Sequence, residues 1–150
     1  MNDNDYYMSI ALQLAQEAEA DNEAPVGCVI VDPCGAVIGR GRNRREKTKS
    51  ALAHAEIEAI EDACNILNDW RLSGCSMYVT LEPCPMCAGA VIMSRIDKLI
   101  YGARDEITGS CGSVINLFME SYGQSTKVIG GVSANECSAL LTEFFKKIRN

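Results

Sequence analysis

Positive charge is missing from the start of this chain: no Lys or Arg precedes Arg40. That excludes the cationic opening of a secretory signal and the Arg-rich opening of a mitochondrial presequence. No uninterrupted apolar stretch approaches the roughly 20 residues needed to span a bilayer, so no membrane partner is expected. Histidine is scarcer still, with one in 150 residues. Linkers, internal repeats and low-complexity tracts are absent too, which points to one compact domain over residues 1–150. A domain of this length buries roughly 70% of its unfolded surface, so its eight cysteines are not needed as disulfide staples. We therefore expect a cytoplasmic protein with reduced thiols.

What charge there is lies unevenly. The net charge of −6 comes entirely from residues 1–24, where Asp3, Asp5, Glu17, Glu19, Asp21 and Glu23 have no basic counterpart; the remainder balances. Within that remainder, Arg40 to Lys49 holds six bases and one acid, Glu46. Such a run is either a solvated loop or a binder of phosphates, with Arg42, Arg44, Arg45 and Lys47 as the candidate contacts.

Periodicity predicts a helix over residues 3–20, with Tyr7, Ile10, Ala11, Leu14 and Ala18 on its apolar face. Val26 to Val31 and Ala36 to Gly39 read as strands joined by Asp32-Pro33-Cys34-Gly35, whose residue types suit a type I turn. A second helix is expected over residues 54–67, with Ile57, Ile60, Cys64 and Leu67 inward. Strand 76–80, helix 86–95, strand 98–103 and a last strand over 127–131 follow. Ser133 and Glu136 match a capping box for a closing helix, with Cys137, Leu140, Leu141, Phe144, Phe145 and Ile148 as its stripe. A hairpin followed by strands alternating with helices indicates an α/β fold of three layers, α/β/α, around a mixed five-stranded sheet.

The chemistry concentrates at two predicted helix starts. His54-Ala55-Glu56 opens one helix and Pro83-Cys84-Pro85-Met86-Cys87 opens another. Side chains tilt toward a helix N-terminus, so a metal beyond that end is within reach of first-turn residues on either side of the axis. The partial positive charge there favours thiolate. Structural zinc sites close with four protein ligands, whereas His54, Cys84 and Cys87 make three and leave a position for water, whose pKa zinc lowers to roughly 7. Glu56 would take its proton. Cys64, Cys75 and Cys111 remain candidates for a fourth ligand. Nucleophile and proton shuttle over an aromatic ring bearing an amino group make hydrolytic deamination.

The joint pattern of His-x-Glu and Pro-Cys-x-x-Cys resembles the zinc-dependent cytidine deaminase-like superfamily. Further stretches, among them Pro25-Val26-Gly27, Gly41-Arg42-Asn43-Arg44, Tyr78 to Cys84, Met86 to Ala90, Ser94-Arg95-Ile96, Gly102 to Asp105 and Phe144-Phe145, resemble bacterial tRNA adenosine deaminases over nearly the whole chain. The resemblance implies a cytidine deaminase-like fold, one Zn2+ per chain, a homodimer, and conversion of wobble adenosine in a tRNA anticodon stem-loop to inosine. It also implies that Asn43 and the backbone amide of Ala55 read the purine and that Asp105 lies near the sugar. Gly123 to Thr126 and Ser50 to Leu52 depart from that pattern, in segments expected near the RNA. Two other functions share these residues: deamination of a free purine such as guanine, and zinc-stabilised RNA binding without catalysis.

Overall fold

The computed structural model describes residues 2–149, so Met1 and Asn150, the ends of the expected domain, lie outside the described residues. Five strands form one sheet: β1 (Gly27–Val31), β2 (Val37–Arg42), β3 (Ser76–Leu81), β4 (Lys98–Ala103) and β5 (Lys127–Ile129). Their order is β2-β1-β3-β4-β5, with β1 antiparallel to both neighbours and β3, β4 and β5 parallel, as expected for a mixed sheet. The hairpin turn is held by Asp32, whose Oδ1 accepts from the N–H groups of Cys34 and Ala36, and Gly35 supplies the positive φ of 89°.

Helices cover both faces. Helix α1 (Asp3–Ala20), capped by Asn2, and α5 (Ala134–Arg149) pack on Val29, Val31, Tyr78 and Ile100. Helices α3 (Ala55–Leu67) and α4 (Pro85–Met93) cover Cys28, Ile30, Met77, Val79 and Leu99 on the other side. Alternation of neighbouring strand residues between the two clusters follows from the two-residue period of a strand. A short helical turn, α2 (Arg45–Thr48), lies between β2 and α3. The cationic run is thus strand and helical turn rather than open loop.

The buried stripes agree only in part with those that hydropathy suggests, Ala11 and Ala18 being buried as expected. Helix α1 buries Met8, Ala11, Ala15 and Ala18, and α3 buries Ala55, Glu56, Ala59 and Ala63; Tyr7, Ile10, Leu14, Ile57 and Ile60 lie at the margins and Leu67 is exposed. The cause is close approach. A Cβ on Gly27 would run into the Ala11 carbonyl oxygen, and Cβ atoms on Gly39 and Gly41 into those of Ala59 and Ala55. Only small residues fit along such lines of backbone contact.

Two further expectations are corrected. Ser133 sits at φ 53° instead of the extended geometry of a capping residue, so no capping box forms with Glu136, although its carbonyl accepts from the Cys137 N–H. In α5 only Cys137 and Phe144 are buried, while Phe145 and Ile148 are exposed. Gly123 to Thr126 is tied to the start of β4, where Gln124 Nε2 and Thr126 Oγ1 both donate to the Ile96 carbonyl.

Gly41→Ala should push α3 off the sheet and lower stability by about 1–3 kcal/mol, the cost typical of overpacking. Gly89→Ala, in a helix with nothing within 4 Å of the added Cβ, should hold or raise it. Urea midpoints compare the two.

Candidate metal centre

His54 is the residue immediately before α3, Cys84 the one before α4, and Cys87 lies in the first turn of α4. Chain direction explains the meeting. Strand β3 delivers Cys84 at its C-terminal end, and the return from β2 brings His54 to the same edge of the sheet. Pro85 at the first position of α4 fits, since that residue needs no N–H partner. His54 Nδ1 lies 3.6 Å from Cys84 Sγ and 3.5 Å from Cys87 Sγ, and the three ligating atoms fall within 4.8 Å of one another. Tetrahedral zinc with bonds of about 2.3 Å to sulfur and about 2.0 Å to nitrogen separates N from S by about 3.6 Å. The donor set therefore fits zinc. Among the described residues no other cysteine joins the cluster: Cys64 Sγ donates to the Trp70 carbonyl, and Cys111 sits beside Glu82.

Protonation within the cluster follows from its contacts. The hydrogen bond from Cys87 pulls Cys84 down to about 4, burial works against this, and the contact with His54 adds to it. Cys87 is pushed far up, first by sharing that bond and then by burial, and the Cys84 contact raises His54. Glu56, 4% exposed, has its carboxyl lifted by burial to about 7, against the pull of its own backbone N–H and of the His54 ring. Such a carboxyl can both accept and return a proton near neutrality.

These groups open into a cleft of about 370 Å³. Asn43 and Arg45 line one side, Leu141 and Phe145 another, and the segment Arg104 to Thr108 a third. Asn43 is buried, and its Oδ1 accepts from the Ala55 N–H at 3.0 Å. The Ala55 amide, expected to contact a purine, thus already has its acceptor; the bond fixes Asn43 with Nδ2 left to donate. Asp105 lines the cleft but its oxygens serve the loop, accepting from the N–H groups of Ile107 and Thr108 and the Thr108 hydroxyl.

The cationic run is also partly spent inside the protein. Arg42 pairs with Asp21 at 3.2 Å and Arg44 with Glu58 at 2.7 Å. Of the four basic candidates only Arg45 lines the cleft, with Lys47 exposed nearby on α2. Two buried acids escaped the sequence reading. Glu23 accepts from the N–H groups of Glu46 and Lys47 and so holds α2, and Glu82 anchors the loop after β4. For Glu82 the available signal was an acid directly after an apolar strand.

Residues 1–103 match the family described as the cytidine and deoxycytidylate deaminase zinc-binding region. Among curated proteins, the tRNA-specific adenosine deaminase of Bacillus subtilis (strain 168) is 43% identical over 150 residues, covering 99% of this chain and 92% of that protein. Among solved structures, one from a study of A-to-I editing by tRNA:A34 deaminases at the wobble position of transfer RNA has a TM-score of 0.87 at 39% identity, covering 91% of this chain and 99% of that one. The guanine deaminase of Nitrosomonas europaea shares the fold at a TM-score of 0.83 and 26% identity, over 93% of this chain and 83% of that one.

The raised Glu56 carboxyl carries a stability signature. Its folded value, about 7, exceeds its ordinary 4.5, so in zinc-free protein its contribution is complete below pH 4.5 and is lost as pH rises through 7. The stability difference between zinc-free wild type and Glu56→Gln should therefore fall by up to about 3 kcal/mol across that window. Chemical denaturation at a series of pH values measures it; a flat difference would contradict the burial.

Proposed function

The chain belongs to the cytidine and deoxycytidylate deaminase zinc-binding family, and from that premise we propose that it converts the wobble adenosine of a tRNA anticodon loop to inosine, releasing ammonia. The observation that carries the substrate is the 43% identity, over 99% of this chain and 92% of that protein, to a tRNA-specific adenosine deaminase, whereas guanine deaminase structures match at 26% identity or, at 38%, over only 69% of the chain with a TM-score of 0.65. Residues 1–150 act as one deaminase domain in this reading.

His54, Cys84 and Cys87 hold one zinc ion per chain. Zinc bound there supplies Lewis acidity that makes water a nucleophile at neutral pH. Glu56 would take one proton from the attacking water and deliver it to the purine ring nitrogen, then pass the remaining O–H proton to the amino group, so that the oxygen stays on the ring carbon and NH3 leaves. Asn43, locked through Oδ1 onto the Ala55 N–H, turns Nδ2 to the purine. Asp105 shapes the rim beside the sugar through the turn it closes. Arg45 and Lys47 meet phosphates, while Arg42 and Arg44 build the wall through their ion pairs.

A second copy of the chain completes the unit. Met93 on α4 and Met119, in the turn of Leu117 to Met119 that packs on α4, are exposed, which supports an apolar contact there. No helix among the described residues is long and apolar enough to cross a membrane. The tRNA substrate places the enzyme in the cytoplasm.

Two measurements test the reading. Zinc-loaded protein should form inosine in a tRNA carrying wobble adenosine, with release of ammonia, far faster than it deaminates guanine, and Glu56→Gln should keep zinc while losing about 10²- to 10⁴-fold in turnover. Faster turnover of guanine would hand the site to the free-base reading, and normal turnover by the variant would refute the proton role. Separately, Arg45→Ala with Lys47→Ala should weaken tRNA binding and flatten its salt dependence by somewhat under one unit of slope per lost contact. Arg42→Ala should leave that slope unchanged, because its charge is already matched by Asp21.

A further inference from the structure

We propose that Glu82 is a positioning residue that registers the substrate-facing wall of the cleft directly to the metal centre. The inference rests on the deaminase reading and adds a determinant of substrate binding to it. Glu82 is 1% exposed and takes part in none of the ion pairs among the described residues. A buried carboxylate without a counter-cation is costly unless donors surround it. Four do. Its Oε1 accepts from the Asp105 N–H at 3.0 Å and from the Ser113 hydroxyl, and its Oε2 from the N–H groups of Cys111 at 2.9 Å and Ser113 at 3.1 Å.

All four donors belong to the stretch after β4, which carries Arg104 to Thr108 along the cleft. The packing is tight on the same side: a Cβ on Gly109 would collide with the Glu82 carboxyl group, and the Ser110 N–H donates to the Pro83 carbonyl. Glu82 is also joined to the ligand Cys84 through Pro83, whose ring restricts φ. The wall is thereby placed relative to the metal through two residues of chain. The carboxylate cannot itself be a proton shuttle, because its lone pairs are filled by the loop. Nor does an amide replace it: Gln would turn its NH2 group toward at least one backbone N–H donor, that of Asp105 or those of Cys111 and Ser113, and lose the bonds made there.

The test begins with zinc-loaded wild type on wobble-adenosine tRNA and on guanine, and the substrate turned over is carried forward. Glu82→Gln should raise KM at least about tenfold while kcat stays within about threefold, the pattern of lost uniform binding. Zinc should remain at one per chain, and hydrogen exchange at the amides of Asp105, Cys111 and Ser113 should speed up. Ser113→Ala, which removes one donor, should raise KM in the same direction by less. Looser exchange with an unchanged KM would reduce Glu82 to a structural residue and overturn the proposal. So would a collapse of kcat with zinc loss at constant KM, which would mean action through Cys84. If Glu82→Gln does not fold, Ser113→Ala decides, and an unchanged KM there overturns the proposal. If wild type turns over neither substrate, the deaminase reading fails separately, and dissociation constants for tRNA in the same three proteins judge Glu82 by the same criterion.

Discussion

Where α3 lies on β2 the two backbones touch. Gly39 and Gly41 face Ala59 and Ala55 with no room for a Cβ between strand and helix carbonyls, and that contact sets the height of α3 over the sheet. His54 stands at the first position before this helix and Glu56 in its first turn, so their placement is inherited from the glycine contact. The thiolates arrive independently, on the end of β3 and the start of α4. Three ligands that meet within 4.8 Å from two helices tolerate little displacement of either. A single methyl group under α3 would shift the imidazole and the carboxylate together.

Three buried carboxylates divide by what surrounds them. Glu23 accepts from two backbone amides of α2 and Glu82 from three backbone amides and a hydroxyl. Burial works against ionisation of Glu82, yet the Ser113 hydroxyl and the amides of Asp105, Cys111 and Ser113 outweigh it and hold the carboxyl below its ordinary range. Glu56 has no comparable nest, only its own N–H and the neighbouring thiol, and burial lifts it to about 7. The difference separates scaffold from chemistry. A carboxylate whose lone pairs are filled by amides stays charged and fixed, and one left short of donors exchanges protons.

Much of this was legible in the sequence and part of it was not. The bounds of α1 and β4 follow from periodicity, and the metal cluster from two short motifs at helix starts, because those signals are local. The inward face of α1 is legible in part, with Ala11 and Ala18 buried as expected, but hydropathy favours Leu and Ile and passes over Ala15, Ala59 and Ala63, whose small size lets the helices approach glycines elsewhere in the chain. Residues 105–113 show no period because that stretch is organised by Glu82, more than twenty positions upstream. Arg42 and Arg44 looked free because Asp21 and Glu58 are distant in sequence. Ser133 had the right residue type for a cap but reaches α5 through a left-handed turn.

The acidity of the first 24 residues then acquires a physical meaning. Acids at the C-terminal end of α1, close to the cleft, would repel phosphate over a Debye length of about 8 Å at physiological salt. Two of them are instead consumed in building the cationic wall: Asp21 pairs with Arg42, and Glu23 holds the amides from which α2 starts. Glu58 does the same for Arg44. Arg45 is left lining the cleft with Lys47 nearby on the surface, carried on a turn whose position is fixed by buried acid. Net charge is therefore a poor guide to this surface. A chain of −6 presents positive charge at this cleft because Asp21, Glu23 and Glu58 are spent inward, on positioning the bases around them.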